Sequence, residues 1–107
     1  MYIGKNTDSP NYVTLAARDK YGIAFSMSEY LWNSYEAQGY DMWILNKYFL
    51  KTFAGVGTEF RLCSDPKLYI NGSSYYGREL RYLKNEQKYS WPAVFKPYYI
   101  QAFKTGN

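Results

Sequence analysis

Residues 41–63 read DMWILNKYFLKTFAGVGTEFRLC. Met42, Leu45, Phe49 and Phe53 recur at spacings of three and four, with Trp43, Ile44 and Leu50 widening the stripe, which is the period of a helix with one buried face. Asp41 is its natural N-cap and Gly55-Val56-Gly57 its end. From Thr58 to Cys63 the period changes to two: Phe60 and Leu62 alternate with Glu59, Arg61 and Cys63, as in a half-buried strand. A helix running through a glycine turn into a strand predicts an α+β domain. Cys63 either shares the face of Glu59 and Arg61 or marks the strand's buried end, and is expected to be an inert thiol, since nothing beside it lowers its pKa.

Downstream, Ser64-Asp65-Pro66 breaks the strand, Asn71-Gly72 turns the chain, and Ser73 or Ser74 caps a helix to about Asn85. Its apolar stripe is Tyr76, Leu80 and Leu83; Arg78, Arg81 and Lys84 point elsewhere, with Glu79 placed among them. Pro92 and Pro97 divide Tyr89–Phe103 into two short edge strands, of which Tyr98–Phe103 is the better. Upstream, Ser26 or Ser28 caps a helix through about Gln38, with Glu29 near its amino end and Gly39 as its stop. Tyr12–Ala17 and Tyr21–Ser26 form either a hairpin or a helix followed by a strand. Residues 1–11, polar and rich in turn formers, read as a mobile lead whose loss should matter little. The expectation is one small α+β domain over 12–107, with about three helices packed on a short antiparallel sheet.

The 107 residues include no histidine, one cysteine, 14 tyrosines, six phenylalanines and three tryptophans, and carry a net charge of +4. Histidine triads, an internal disulfide, a CxxC redox pair and an ordinary His/Cys zinc site are excluded. Nucleotide-cradle and HExxH motifs are absent and the nine acids are scattered singly, so no cofactor or metal is expected. No run approaches the roughly 18 to 20 apolar residues of a membrane span, and the first 20 residues lack a secretory signal, so a soluble monomer is expected. Surplus tyrosine can be structural, as rings at the core edge whose hydroxyls reach water.

Basic charge and flat rings concentrate between Arg61 and Lys84, where Arg61, Lys67, Arg78, Arg81 and Lys84 are interleaved with Tyr69, Tyr75, Tyr76 and Tyr82. Such a set binds phosphate oxygens and stacks on unpaired bases, describing a groove for single-stranded RNA; the plainer reading is a solvated helix face. Without histidine, a metal-independent ribonuclease needs Glu, Lys or Tyr for proton transfer and Arg or Lys for electrostatic stabilisation. Glu79 between Arg78 and Arg81 fits that need. The cations should lower its pKa and favour a phosphate-positioning or salt-bridging role.

The segments 41–50, 60–66 and 74–83 carry a pattern, "MW..N..FL", "F.LS.DP" and "Y..E..YL", that resembles the carboxy-terminal toxin modules of bacterial polymorphic toxins, over about residues 23–90. The chain departs from it in having Cys63 before Ser64 and in lacking the histidine that often follows that serine. The matching positions are Trp43, Asn46, Ser64, Asp65, Tyr76 and Glu79. Trp43 reads as core, Asp65-Pro66 as a turn, and Asn46 as a partner of neighbouring backbone.

The resemblance implies an antibacterial toxin domain, carried by a larger exported protein into the cytoplasm of a target bacterium and neutralised by a cognate immunity protein. Its expected activity is metal-independent cleavage of tRNA or other RNA. Arg78, Glu79, Ser64 and Lys67 are the catalytic candidates, and Arg61, Tyr75, Tyr76, Arg81 and Lys84 the RNA-binding ones. The alternatives are a non-catalytic aromatic-rich module that binds RNA, sugar or a protein partner, and an immunity-type protein with a single protein target.

Overall fold

The computed structural model describes residues 1–5, 11–19, 22–24, 29–96 and 98–105. The order is β1 (Tyr2–Ile3), α1 (Tyr12–Arg18), α2 (Glu29–Ala37), α3 (Met42–Gly55), β2 (Phe60–Leu62), α4 (Pro66–Tyr69), α5 (Tyr75–Asn85), β3 (Tyr89–Ser90) and β4 (Ile100–Lys104). The class is α+β, as expected, and the three helices read from sequence are α2, α3 and α5. Of two shorter helices, α1 matches the helical alternative for Tyr12–Ala17, and α4 is an addition.

The sheet is mixed. Its strand order is β1-β2-β4-β3, with β1 parallel to β2 and the other neighbours antiparallel. The expectation of an antiparallel sheet fails because residues 1–3 supply a strand. A strand that pairs parallel needs a long crossover, and α1 to α3 provide it. Met1, Tyr2 and Ile3 are buried, and the Met1 nitrogen donates to the Glu59 carbonyl at 2.7 Å. Residues 1–3 are therefore structural rather than a mobile lead, and Asn11 is the N-cap of α1, its side chain accepting from Thr14 N at 3.0 Å. Residues 6–10 lie outside the described residues. So do Tyr21, the Ser26 and Ser28 caps, and the Glu29 side chain; Gly22–Ala24 form no strand, although the Ile23 carbonyl accepts from Tyr2 N.

The two sheet faces bury different things. Ile3, Phe60, Leu62, Ile100 and Ala102 face a core completed by Leu50 and Ala54 of α3 and Tyr76, Leu80 and Leu83 of α5. On the other face, Tyr2 and Cys63 pack with Leu15 and Ala16 of α1. The Cys63 thiol is buried there and its pKa is pushed up to about 12, so the reading as an inert core thiol holds.

Local chemistry places the helices. Asp41 caps α3, accepting from Trp43 N at 3.0 Å, and Ser74 caps α5, accepting from Gly77 N at 3.1 Å; each such cap contributes about 1 kcal/mol. Gly39, at φ +89°, follows α2 as expected. Asp65-Pro66 is more than a turn, because Asp65 caps α4 and Pro66 begins it, where the missing N–H costs nothing. Gly77 admits no side chain: a Cβ there would lie 2.4 Å from the Tyr69 carbonyl oxygen and 2.9 Å from that of Gly72. Close approach of α4 and its following loop to α5 requires that glycine.

Helix α3 is rotated from its expected orientation. Its buried line is Met42, Asn46, Leu50 and Ala54, while Leu45 and Ile44 are exposed and Trp43, Phe49 and Phe53 pack at the edge of the core. The surplus tyrosine is partly absorbed in the same way. Tyr76 and Tyr89 are buried with their hydroxyls donating to the Ser64 and Thr58 carbonyls, both at 2.6 Å.

Ile3→Ala removes a side chain packed between β2 and the helices, so it should lower stability in urea unfolding by about 2 to 4 kcal/mol. A midpoint equal to that of the wild type would restore the mobile-lead reading.

Candidate functional site

Helix α5 crosses α3, and where they meet two polar side chains are buried together: Asn46 at 5% and Glu79 at 8% exposure. Glu79 follows Tyr76 by three positions and precedes Leu83 by four, so helical geometry assigns it to the core-facing stripe. Its expected grouping with Arg78 and Arg81 is incorrect. So is the lowered pKa: burial pushes the Glu79 carboxyl up to about 8, with a side-chain hydrogen bond from Asn46 opposing that rise. Asn46 therefore serves a carboxyl rather than the neighbouring backbone.

Glu79 and Asn46 line a cleft of about 620 Å³. Trp32 of α2 and Tyr75 of α5 form an aromatic wall, their rings edge to face with centroids 5.1 Å apart. Tyr12 of α1 faces the same space, its phenol pKa raised by burial and then by the nearby Glu79 charge. Burial raises the Tyr75 pKa too, with Glu36, another lining residue, adding to the shift. Lys5 is the basic side chain of the lining, which also includes Ser73 and the α5 cap Ser74. The arrangement unites a buried carboxylic acid whose pKa is raised well above the ordinary carboxylate range, flat rings and a cation, which suits proton transfer on a ring-bearing anionic ligand.

The remaining candidates scatter. Arg61 lies across the sheet from α5: it bonds Asp19 at 3.0 Å and the Tyr2 hydroxyl, and its guanidinium stands between the Tyr2 and Tyr99 rings, 5.2 and 4.8 Å from their centroids. It serves as a structural clasp for α1. Ser64 is buried beneath β1, its Oγ accepting from Lys5 N at 2.9 Å and its carbonyl from Tyr76, so it holds the cleft wall instead of facing the cleft. Tyr76 lines the cleft but is buried, its hydroxyl committed to Ser64. Arg81 donates through Nη1 to the Ile70 and Gly72 carbonyls, both at 2.7 Å. Lys67 and Lys84 are exposed, and neither lines the cleft. Arg78 is exposed, its guanidinium 4.5 Å from the Trp43 ring centroid.

Of the nine candidates, Glu79, Tyr75 and Tyr76 are brought together, while Arg78 and Arg81 share a separate groove with Trp43 and Tyr82. Sequence reasoning missed Asn46 as a partner of Glu79 and missed Tyr12, Trp32, Glu36 and Lys5 altogether. Asn46 carried a signal, standing four residues from both Met42 and Leu50. The others come from distant segments and carried none. Among the described residues no three His, Cys, Asp or Glu side chains converge, and no helix is long and apolar enough to cross a membrane. Comparison with protein-family models, with curated proteins and with solved structures found no match, so the resemblance to polymorphic-toxin modules stands on its sequence pattern.

The raised carboxyl pKa fixes a sign for stability. Glu79 binds its proton up to about pH 8 when folded but only up to the ordinary carboxylate range near 4.5 when unfolded, so stability is greatest below the lower value and falls as pH rises through the upper one. Glu79→Gln has no proton to lose there. It should gain several kcal/mol relative to wild type between pH 5 and 9, read as the difference in denaturation midpoints, and a constant difference across that range would refute the buried-acid assignment.

Proposed function

We propose that the chain is a ribonuclease domain that cuts RNA without a metal ion, with Glu79 as its proton-transfer group. The observation that carries the reading is a carboxyl, buried together with Asn46, lining a cleft walled by Trp32 and Tyr75. Ionised Glu79 takes the proton of a ribose 2'-hydroxyl, the 2'-oxygen bonds to phosphorus, and the bond from phosphorus to the 5'-oxygen breaks, that oxygen taking a proton from water. Lys5 offsets the charge that develops on phosphorus, and the aromatic wall stacks the adjoining base. The products are a 2',3'-cyclic phosphate and a 5'-hydroxyl.

A net charge of +4 and the motif pattern support RNA as the polyanion and an interbacterial toxin as the context, with tRNA as the first substrate to try. In that context the partner is a cognate immunity protein, for which exposed Ile44, Leu45 and Tyr48 on α3 provide an apolar surface. Delivery as part of a larger exported protein belongs to the same proposal. The second reading, a binding module, draws on the same aromatic wall and the polar Asn33, Ser73 and Ser74 around it.

Total bacterial RNA incubated with the protein in EDTA should yield discrete fragments ending in cyclic phosphate. The rate should climb with pH as Glu79 ionises and level off above about 8, and Glu79→Gln should lose at least about a hundredfold, the usual contribution of a positioned general base. Full activity in Glu79→Gln would remove the carboxyl from the reaction. Intact RNA bound in a salt-sensitive manner would establish the binding module, and salt-insensitive saccharide binding would point to sugar.

A further inference from the structure

Beside the cleft, on the exposed junction of α3 and α5, lies an open groove of about 400 Å³ lined by Trp43, Arg78, Arg81, Tyr82, Asn85 and Glu86. Its centre is the Arg78 guanidinium stacked on the Trp43 ring at 4.5 Å. Stacking uses one face of that plane and leaves its edge donors and outer face available, and the Arg78 guanidinium has no ion pair or hydrogen-bonded acceptor among the described residues. Tyr82 meets Trp43 edge to face at 6.4 Å, and the Lys47 ammonium lies 5.4 Å from the Tyr82 ring centroid. Two arginines line the groove against one carboxylate, Glu86, so it favours an anion.

The groove and the cleft share no lining residue, but a ring contact links them. Tyr75 lines the cleft, and its ring lies 6.5 Å from that of Trp43, so the rings of Trp32, Tyr75 and Trp43 form one path between the two, with buried Tyr82 backing Trp43. Aromatic faces with interleaved cations, running away from a reactive centre, match a chain of unpaired bases joined by phosphates.

We infer that the Trp43–Arg78 groove is a subsite for single-stranded RNA, holding a nucleotide that flanks the segment seated in the Glu79 cleft. A base stacks on the outer face of the Arg78 guanidinium, continuing the stack begun by Trp43, while the in-plane N–H donors take a phosphate oxygen. Arg81, whose Nη1 is held by two backbone carbonyls, contributes charge. As a flanking subsite it rests on the reading of the cleft as an RNA site; its own binding does not require that Glu79 be catalytic.

The test is fluorescence anisotropy of a labelled 2'-O-methyl oligouridylate of about ten nucleotides, a length that spans both sites and cannot be cut, with an unlabelled dinucleotide as competitor for the cleft. Arg78→Ala should weaken the oligonucleotide about tenfold, as expected for losing one stacked base with its phosphate contact, and leave the dinucleotide unchanged. Lys84→Ala, exposed on the same helix but outside the groove, should stay within about twofold. Arg78-dependent binding of the oligonucleotide with no competition from the dinucleotide would support the groove while removing the cleft as a nucleotide site. Equal losses in Arg78→Ala and Lys84→Ala would overturn the subsite in favour of diffuse charge. The same Arg78 dependence for heparin or for duplex RNA would overturn its fit to unpaired bases.

Discussion

Helix α5 can bury Tyr76, Leu80 and Leu83 in only one rotation about its axis, and that rotation carries Glu79 inward with them. Tyr76, Leu80 and Leu83 are almost fully enclosed and hold the helix against the sheet, so a carboxyl that is costly to bury has nowhere else to go. The same turn leaves Arg78 on the solvent side. One packing requirement thus separates two neighbours in sequence into an enclosed acid and an exposed cation, and both candidate sites on the molecule follow from it. Asn46 reinforces the outcome from α3, whose own buried line of Met42, Leu50 and Ala54 aims it at Glu79.

The sheet acts as an electrical partition. Tyr2 pairs with Arg61, which pairs in turn with Gln101, so Arg61 projects away from α5 and toward α1. There it is enclosed by two tyrosine rings and neutralised by Asp19. A basic cluster that appears continuous from residue 61 to 84 is cut in two by strand alternation, and only the part on α5 can act together.

The elements most legible in sequence were those whose period spans several turns. The ends of α3 and α5 follow from Asp41, Ser74 and the glycines, and the strand at Phe60–Leu62 from its alternation, because local caps and side-chain periods act within a few residues. Legibility ended where a choice depended on distant partners. Whether Leu45 or Asn46 joins the buried line of α3 is decided by what α5 presents, and Glu79 was assigned by its charged neighbours although its spacing to Tyr76 and Leu83 pointed inward. A polar opening segment shows nothing of the sheet edge beside β2 that accepts Tyr2 and Ile3. The cleft joins Lys5, Tyr12, Trp32, Asn46 and Glu79, and no short-range pattern can announce that assembly.

Arg81 clasps the carbonyls of Ile70 and Gly72 while Gly77 lets that loop lie against α5, and the loop continues directly into Ser73 and Ser74 at the rim of the cleft. The rim is therefore ordered before any ligand arrives. Conformational entropy that a mobile rim would surrender on association has already been surrendered during folding, so more of each contact's free energy remains available as affinity. An arginine outside the cleft can in this way strengthen binding there through the stiffness it confers.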